Sequence, residues 1–322
     1  MSSGGTPAST ASRALGSTGL QVTPVAFGTS PLASMSNLYG YSVDEERAVA
    51  TVQAVFDGPP TLLDTSNGYG EDGTAERRIG LAVRRAGGLP PGLVLSTKVD
   101  PDPRTGDFSG DRVRASFEES LERLGVDRVP LLHLHDPERI TFEEATAPGG
   151  AVAALVDLRE RGLVDHLGVA GGPVEELRRY LGTGEFTVLL SHNRYTLLDR
   201  SVAPLYAEAA ERGIGVINAA PYGGGMLSKG PQVQQKYAYG TRGDAVAEAA
   251  VRMQEACARY DVPLAAAALQ FSVRSPLVDS TLVGVSSPER VAQTRELAAV
   301  TVADALWDEL EQLVPDPAGW LG

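Results

Sequence analysis

Eight short apolar runs recur along this chain, at residues 25–28, 61–64, 93–98, 129–135, 167–169, 188–190, 215–217 and 280–283. They are continuous runs, not apolar–polar alternations. That is the pattern of strands buried on both faces of a parallel sheet covered by helices. Helical periodicity fills the intervals at residues 43–56, 73–85, 112–124, 151–161, 174–181, 202–212, 244–259 and 264–273, and returns at 288–297. In residues 112–124, for example, Val113, Phe117, Leu121 and Leu124 share one face. Eight βα units in 322 residues predict an α/β chain closed into a (β/α)₈ TIM barrel. An open doubly wound sheet requires a Gly-rich phosphate turn after its first strand. Gly28-Thr29-Ser30-Pro31 does not supply one, and Gly223-Gly224-Gly225 comes too late. Residues 13–322 are expected to form one barrel domain, with an N-terminal β-hairpin at 13–22 and an extra C-terminal helix at 304–314. The Ser/Thr/Gly/Ala-rich residues 1–12 read as a disordered tail.

With 43% hydrophobic residues the chain can fill such a core. A net charge of -13 argues against a nucleic-acid or anionic-membrane partner. No apolar run approaches the ~20 residues of a membrane span, and the N-terminus lacks the apolar core of a signal peptide. The lone Cys257 excludes an intramolecular disulfide, and no His/Cys/carboxylate set has a zinc spacing, so no metal is expected. The expectation is a cytoplasmic protein acting on a small molecule.

In a (β/α)₈ barrel, reactive groups stand at the carboxyl ends of the strands. Here those ends carry Asp64 and, five residues on, Tyr69; then Lys98; then His135 and Asp136. His133 lies on the same strand face as His135, but His135 is nearer the mouth. A phenol with a free pKa near ~10 is a poor acid or base at neutral pH. A neighbouring ammonium favours the phenolate, and an Asp fixes that ammonium. A neutral imidazole beside them can orient a substrate oxygen. Together these groups make a proton relay for a C–O centre. Neither Ser66 nor Cys257 has an adjacent base in this layout, so no covalent nucleophile is expected.

The segments Leu63-Asp64-Thr65-Ser66-Asn67-Gly68-Tyr69-Gly70, Ser96-Thr97-Lys98 and Leu132-His133-Leu134-His135-Asp136-Pro137 resemble the aldo-keto reductase superfamily over nearly the whole chain. The resemblance implies that Asp64, Tyr69, Lys98 and His135 form a catalytic tetrad, with Tyr69 the general acid–base and a nicotinamide cofactor across the barrel mouth. It implies a hydride-transferring oxidoreductase acting on a carbonyl, alcohol or sugar lactol. The stretches from Asn193 and from Asn218 look most like the branch of aldose 1-dehydrogenases and pyridoxal 4-dehydrogenase. Two family features are missing. Gly168-Val169-Ala170-Gly171 lacks the Ser-Asn pair that holds the nicotinamide amide, and Ala219 stands where a stacking Tyr is usual. Asn193, Ala219, Pro221, Tyr222 and Gly284 are the expected cofactor neighbours, with Tyr222 a substitute for the stacking ring. The alternative is a barrel kept as a non-catalytic binding or regulatory subunit.

The loop after the first strand, with Met35, Leu38, Tyr39 and Tyr41, is expected to line the substrate pocket. Asp136 and Asn193 could bind sugar hydroxyls, and Trp320 could fold over the mouth. Ser286 and Ser287 precede a helix whose free N–H groups suit an anion. Arg290 in its first turn can hold a 2′-phosphate. NADP is therefore the expected cofactor, with NAD tolerated, although Glu289 adds a negative charge nearby.

Overall fold

The computed structural model describes residues 11–238, 240–241 and 244–321; most of the expected tail, residues 1–10, lies outside them. Eight parallel strands close in chain order into a barrel: β1 (Val25–Gly28), β2 (Leu62–Asp64), β3 (Val94–Val99), β4 (Val129–His135), β5 (Val164–Gly171), β6 (Val188–His192), β7 (Gly215–Ala219) and β8 (Ser280–Gly284). β8 pairs with both β7 and β1, so no barrel edge is left open.

The ring around the barrel contains α1 (Glu45–Phe56), α2 (Thr74–Ala86), α3 (Gly110–Leu124), α4 (Ala151–Glu160), α5 (Val174–Gly182), α6 (Ala203–Glu211), α7 (Asp244–Arg259), α8 (Leu264–Val273) and α9 (Pro288–Ala299). A terminal helix, α10 (Asp304–Glu311), packs against α7. Local chemistry sets the ends. The Asp44 and Ser109 side chains accept the first free N–H groups of α1 and α3. α2 and α3 stop at Gly87 and Gly125, both left-handed.

Two apolar layers result. Leu62, Val94, Leu131, Val188, Ile217 and Leu282 fill the barrel interior, while Phe27, Ile79, Phe117 and Leu155 pack between barrel and helices. The antiparallel hairpin of Arg13–Ala14 and Gln21–Val22 closes the amino-terminal end of the barrel. Leu15 and Val22 are fully buried against the inner layer. Gly16 lies so close to β7 that a Cβ there would meet the Gly215 nitrogen at 2.3 Å.

β5, β6 and β7 run further than their apolar residues suggest. The ladder continues through Gly171↔Ser191 and His192↔Ala219, because backbone pairing does not stop where side chains turn small or polar. α10 ends at Glu311, three residues before the expected boundary. The loop after β7 also holds a short helix, Met226–Lys229, and a small antiparallel pair, Lys236–Tyr237 with Gly240–Thr241.

Candidate active site

Lys98 is the hub of the barrel mouth. It is 1% exposed. Its ammonium donates to Asp64 Oδ2 at 2.6 Å, to the Thr65 carbonyl at 2.6 Å and to the Tyr69 hydroxyl oxygen at 3.2 Å. An ammonium has three protons, so all are placed, and the hydroxyl proton of Tyr69 must point away from Lys98. Ser96 donates to the other Asp64 oxygen at 3.0 Å. A tight turn delivers Tyr69 to this spot: its N–H returns to the Ser66 carbonyl at 3.2 Å. Beneath the turn, the Asn67 amide is held by the Ser116 carbonyl at 2.9 Å and by Glu119 at 3.0 Å, and Glu119 pairs with Arg112. The four residues expected from strand ends 2, 3 and 4 therefore converge. The Tyr69 and His135 rings meet edge-on with centroids 5.6 Å apart.

Asp100 is the member that sequence reasoning missed. It is 3% exposed, and its Oδ1 lies 2.7 Å from His135 Nδ1. The Ser66 hydroxyl and the Gly68 N–H, the latter at 2.7 Å, both donate to Oδ2. Only glycine fits at position 68, since a Cβ would stand 2.7 Å from the Asp100 carboxyl carbon. Burial opposes the Asp100 charge, but the facing His135 and these hydrogen bonds outweigh it and hold the carboxyl well below the usual range. Burial also opposes charge on His135, yet the Asp100 and Asp136 carboxylates prevail and raise its pKa. Where a neutral imidazole was expected, these carboxylates favour the charged ring. Contrary to expectation, Ser66 does have titratable neighbours: it donates to Asp100 and lies 3.0 Å from His135 Nδ1. Its proton is committed to Asp100, so it is not activated as a nucleophile. A signal for Asp100 existed: it stands two residues after Lys98 and so faces the same side. His133, one layer deeper, is fully buried, and burial holds its pKa well below the ordinary value.

Three connected spaces meet at the mouth. A cavity of about 570 Å³ is lined by Met35, Leu38, Asp136, Arg139, Asn193 and Arg194. Through Tyr69, His135 and His192 it adjoins a narrow slot floored by Gly28, Ala170, Gly171, Ala219 and Gly284. Across Pro31, Tyr39 and Ala220 the slot continues into a groove of about 310 Å³ reaching Tyr222, Ser286 and Arg290. Several expected residues move between these spaces. Asn193 borders the cavity and not the slot, and Tyr41 borders the groove and not the cavity. Pro221 is buried and lines none of the three. Leu321, not Trp320, reaches the cavity rim. Glu289 faces Arg47 at 3.7 Å, and Arg290 hydrogen-bonds Gln293 at 2.5 Å beside Lys229 in the groove wall. Sequence reasoning singled out neither Lys229 nor His192. Burial pushes the His192 pKa down to about 4, and the Asn193 amide lies 3.2 Å from its Nδ1.

The described residues other than glycine with left-handed backbone at this end of the barrel include Asp136 at φ 43°, Asn193 at φ 61°, Ala220 at φ 56° and Ala238 at φ 54°.

A family model described as the Aldo/keto reductase family matches residues 24–315. The D-threo-aldose 1-dehydrogenase of a Pseudomonas species is 34% identical, over 93% of this chain and 97% of that protein. The L-galactose dehydrogenase of Arabidopsis thaliana is 33% identical, over 94% and 91%. The pyridoxal 4-dehydrogenase of Microbacterium luteolum is 31% identical, over 92% and 96%. Among solved structures, the holo form of an aldo-keto reductase from Bacillus halodurans superposes with a TM-score of 0.78 at 22% identity, covering 96% of this chain and 98% of that one.

Proposed function

Because the chain belongs to the aldo/keto reductase family and is an NAD(P)-dependent oxidoreductase, we propose that it oxidises the anomeric carbon of an aldose lactol, or reduces the matching carbonyl, with Tyr69 as general acid–base. The observation that carries this reading is the Lys98 ammonium shared between Asp64 and the Tyr69 oxygen, at the inner end of a slot that opens into an extended groove. The fit to the cofactor is physical. A flat ring needs a floor without side chains, and Gly28, Ala170, Gly171 and Gly284 supply it. A polyanion needs cations and free N–H groups, and Arg290, Lys229 and the start of α9 supply those. When bound, the nicotinamide supplies or accepts the hydride. Tyr69 gives or takes the proton at the substrate oxygen, Lys98 stabilises its phenolate, and Asp64 holds Lys98 in place.

The cavity rim supports a hydroxyl-rich substrate. Asp136, Glu138, Arg139, Asn193 and Arg194 all border it, a polar rim suited to exchanging hydrogen bonds with substrate hydroxyls. Two of the relatives are named for sugars. The non-catalytic alternative is not favoured, because the relatives are named dehydrogenases and all four tetrad side chains are in place. Arg290 at the groove's far end, with Glu289 turned towards Arg47, supports NADP over NAD. The same reading takes the enzyme to be cytoplasmic; among the described residues no helix is long and apolar enough to cross a membrane. Following nicotinamide absorbance with a panel of aldoses and simple aldehydes, and with each cofactor, tests it. Turnover favouring aldoses and NADP is expected; turnover of simple aldehydes alone would overturn the substrate assignment.

A further inference from the structure

We propose that Asp100 is a positioning residue that fixes the proton of His135 on Nδ1, so that Nε2 faces the substrate oxygen and donates to it when the ring is charged. This rests on the Tyr69 reading. The argument is one of hydrogen-bond counting. Nδ1 faces two oxygens, Asp100 Oδ1 at 2.7 Å and Ser66 Oγ at 3.0 Å. A carboxylate can only accept, and the single Ser66 proton goes to Asp100 Oδ2. Nδ1 must therefore be the donor in every protonation state. The second nitrogen, Nε2, stands 3.8 Å from Asp136 on the cavity side. A neutral ring with its hydrogen on Nε2 is excluded by this arrangement.

The surroundings decide when Nε2 carries a proton. Asp100 and Asp136 favour the charged ring, and Lys98 from β3 opposes it. Tyr69 packs against it edge-on, and Arg139 lies 3.9 Å from Asp100. Glu138 and His192 line the same cavity, and His133 lies one layer below. In reduction the hydride reaches the carbonyl carbon, the C=O π bond breaks, and the oxygen takes the Tyr69 proton. The imidazolium Nε2–H hydrogen-bonds that oxygen throughout. In oxidation the lactol hydroxyl passes its proton to the Tyr69 phenolate as the C–H bond gives up its hydride. The Nε2–H of the charged ring hydrogen-bonds the same oxygen in this direction too, because the hydroxyl's single proton goes to Tyr69. Both directions therefore use the Nε2–H of charged His135.

The test is Asp100→Asn, read by ¹⁵N spectra of the histidine side chains and by pH profiles in both directions. In the wild type the neutral His135 should carry its proton on Nδ1. In D100N the His135 midpoint should move to lower pH, and the alkaline limb of reductive kcat should move with it. Reductive kcat above neutral pH should fall on the order of tenfold or more, part of the ~10²–10⁴ that an acid–base group contributes, while the Kd for NADPH stays unchanged. A wild-type ring protonated on Nε2 when neutral, or a D100N enzyme with an unmoved midpoint and limb, overturns the proposal. If D100N does not fold, the wild-type tautomer alone decides. Full turnover in Tyr69→Phe would instead overturn the acid–base reading and leave the His135 titration to report on Asp100.

Discussion

At the scale of single residues, charge placement makes the sharpest demands. Tyr69→Phe should lower kcat by roughly 10²–10⁴ while NADPH affinity stays near wild type, because the ring still packs; stopped-flow turnover and cofactor fluorescence would check both. Lys98→Met should be comparably damaging, since Tyr69 loses the ammonium at 3.2 Å. The Asp100–His135 pair also makes stability depend on pH. The depressed Asp100 pKa contributes stability above the ordinary carboxylate range, lost as pH falls through the folded value. The raised His135 pKa contributes below the ordinary imidazole value, lost as pH rises through the folded one. Asp100→Asn should therefore cost most between these limits, about 1.5–3 kcal/mol for a charged hydrogen bond, and least at either end. Urea denaturation at several pH values would show this. Asp64, Lys98 and His135 were legible in sequence because each closes or nearly closes an apolar run. Asp100 lies just past its strand, in a segment rich in Asp and Pro that reads as loop, and only its two-residue offset from Lys98 betrays it.

At the scale of elements, the start of α9 carries the clearest expectation. Pro288 and the Ser287 cap fix its first turn, which sets Arg290 in the groove wall. Arg290→Ala should weaken NADP binding by about 1.5–3 kcal/mol and leave NAD binding unchanged, as calorimetry with each cofactor would show. This helix start was readable from Ser-Pro alone. Loop paths were not. Whether Asn193 borders the slot or the cavity depends on a left-handed turn after β6, and whether Glu289 crowds Arg290 depends on Arg47, more than two hundred residues away. Strand ends were blurred for a related reason: apolar side chains mark burial, whereas the ladder that extends β6 to His192 is made of backbone.

For the whole molecule, closure and its consequences matter most. The eightfold alternation made the barrel legible, but not how deeply the hairpin seals its amino-terminal end. Leu15→Ala should destabilise the protein by about 2–5 kcal/mol with kcat unchanged below the melting transition, because Leu15 sits at the end opposite the tetrad. That division of labour extends to the backbone. Asp136, Asn193 and Ala220 all adopt conformations that residues with a Cβ disfavour, and all three stand at the reactive end. Ala220, like Ala238, has no polar side chain to offset a left-handed penalty of roughly 1–2 kcal/mol. The Ala220 carbonyl accepts from Gly223, and the residue borders both slot and groove. A directed-evolution campaign that selects only for heat tolerance should therefore find Ala220→Gly early. Its survivors should melt higher and react more slowly, because the relaxed loop no longer holds the junction at one width.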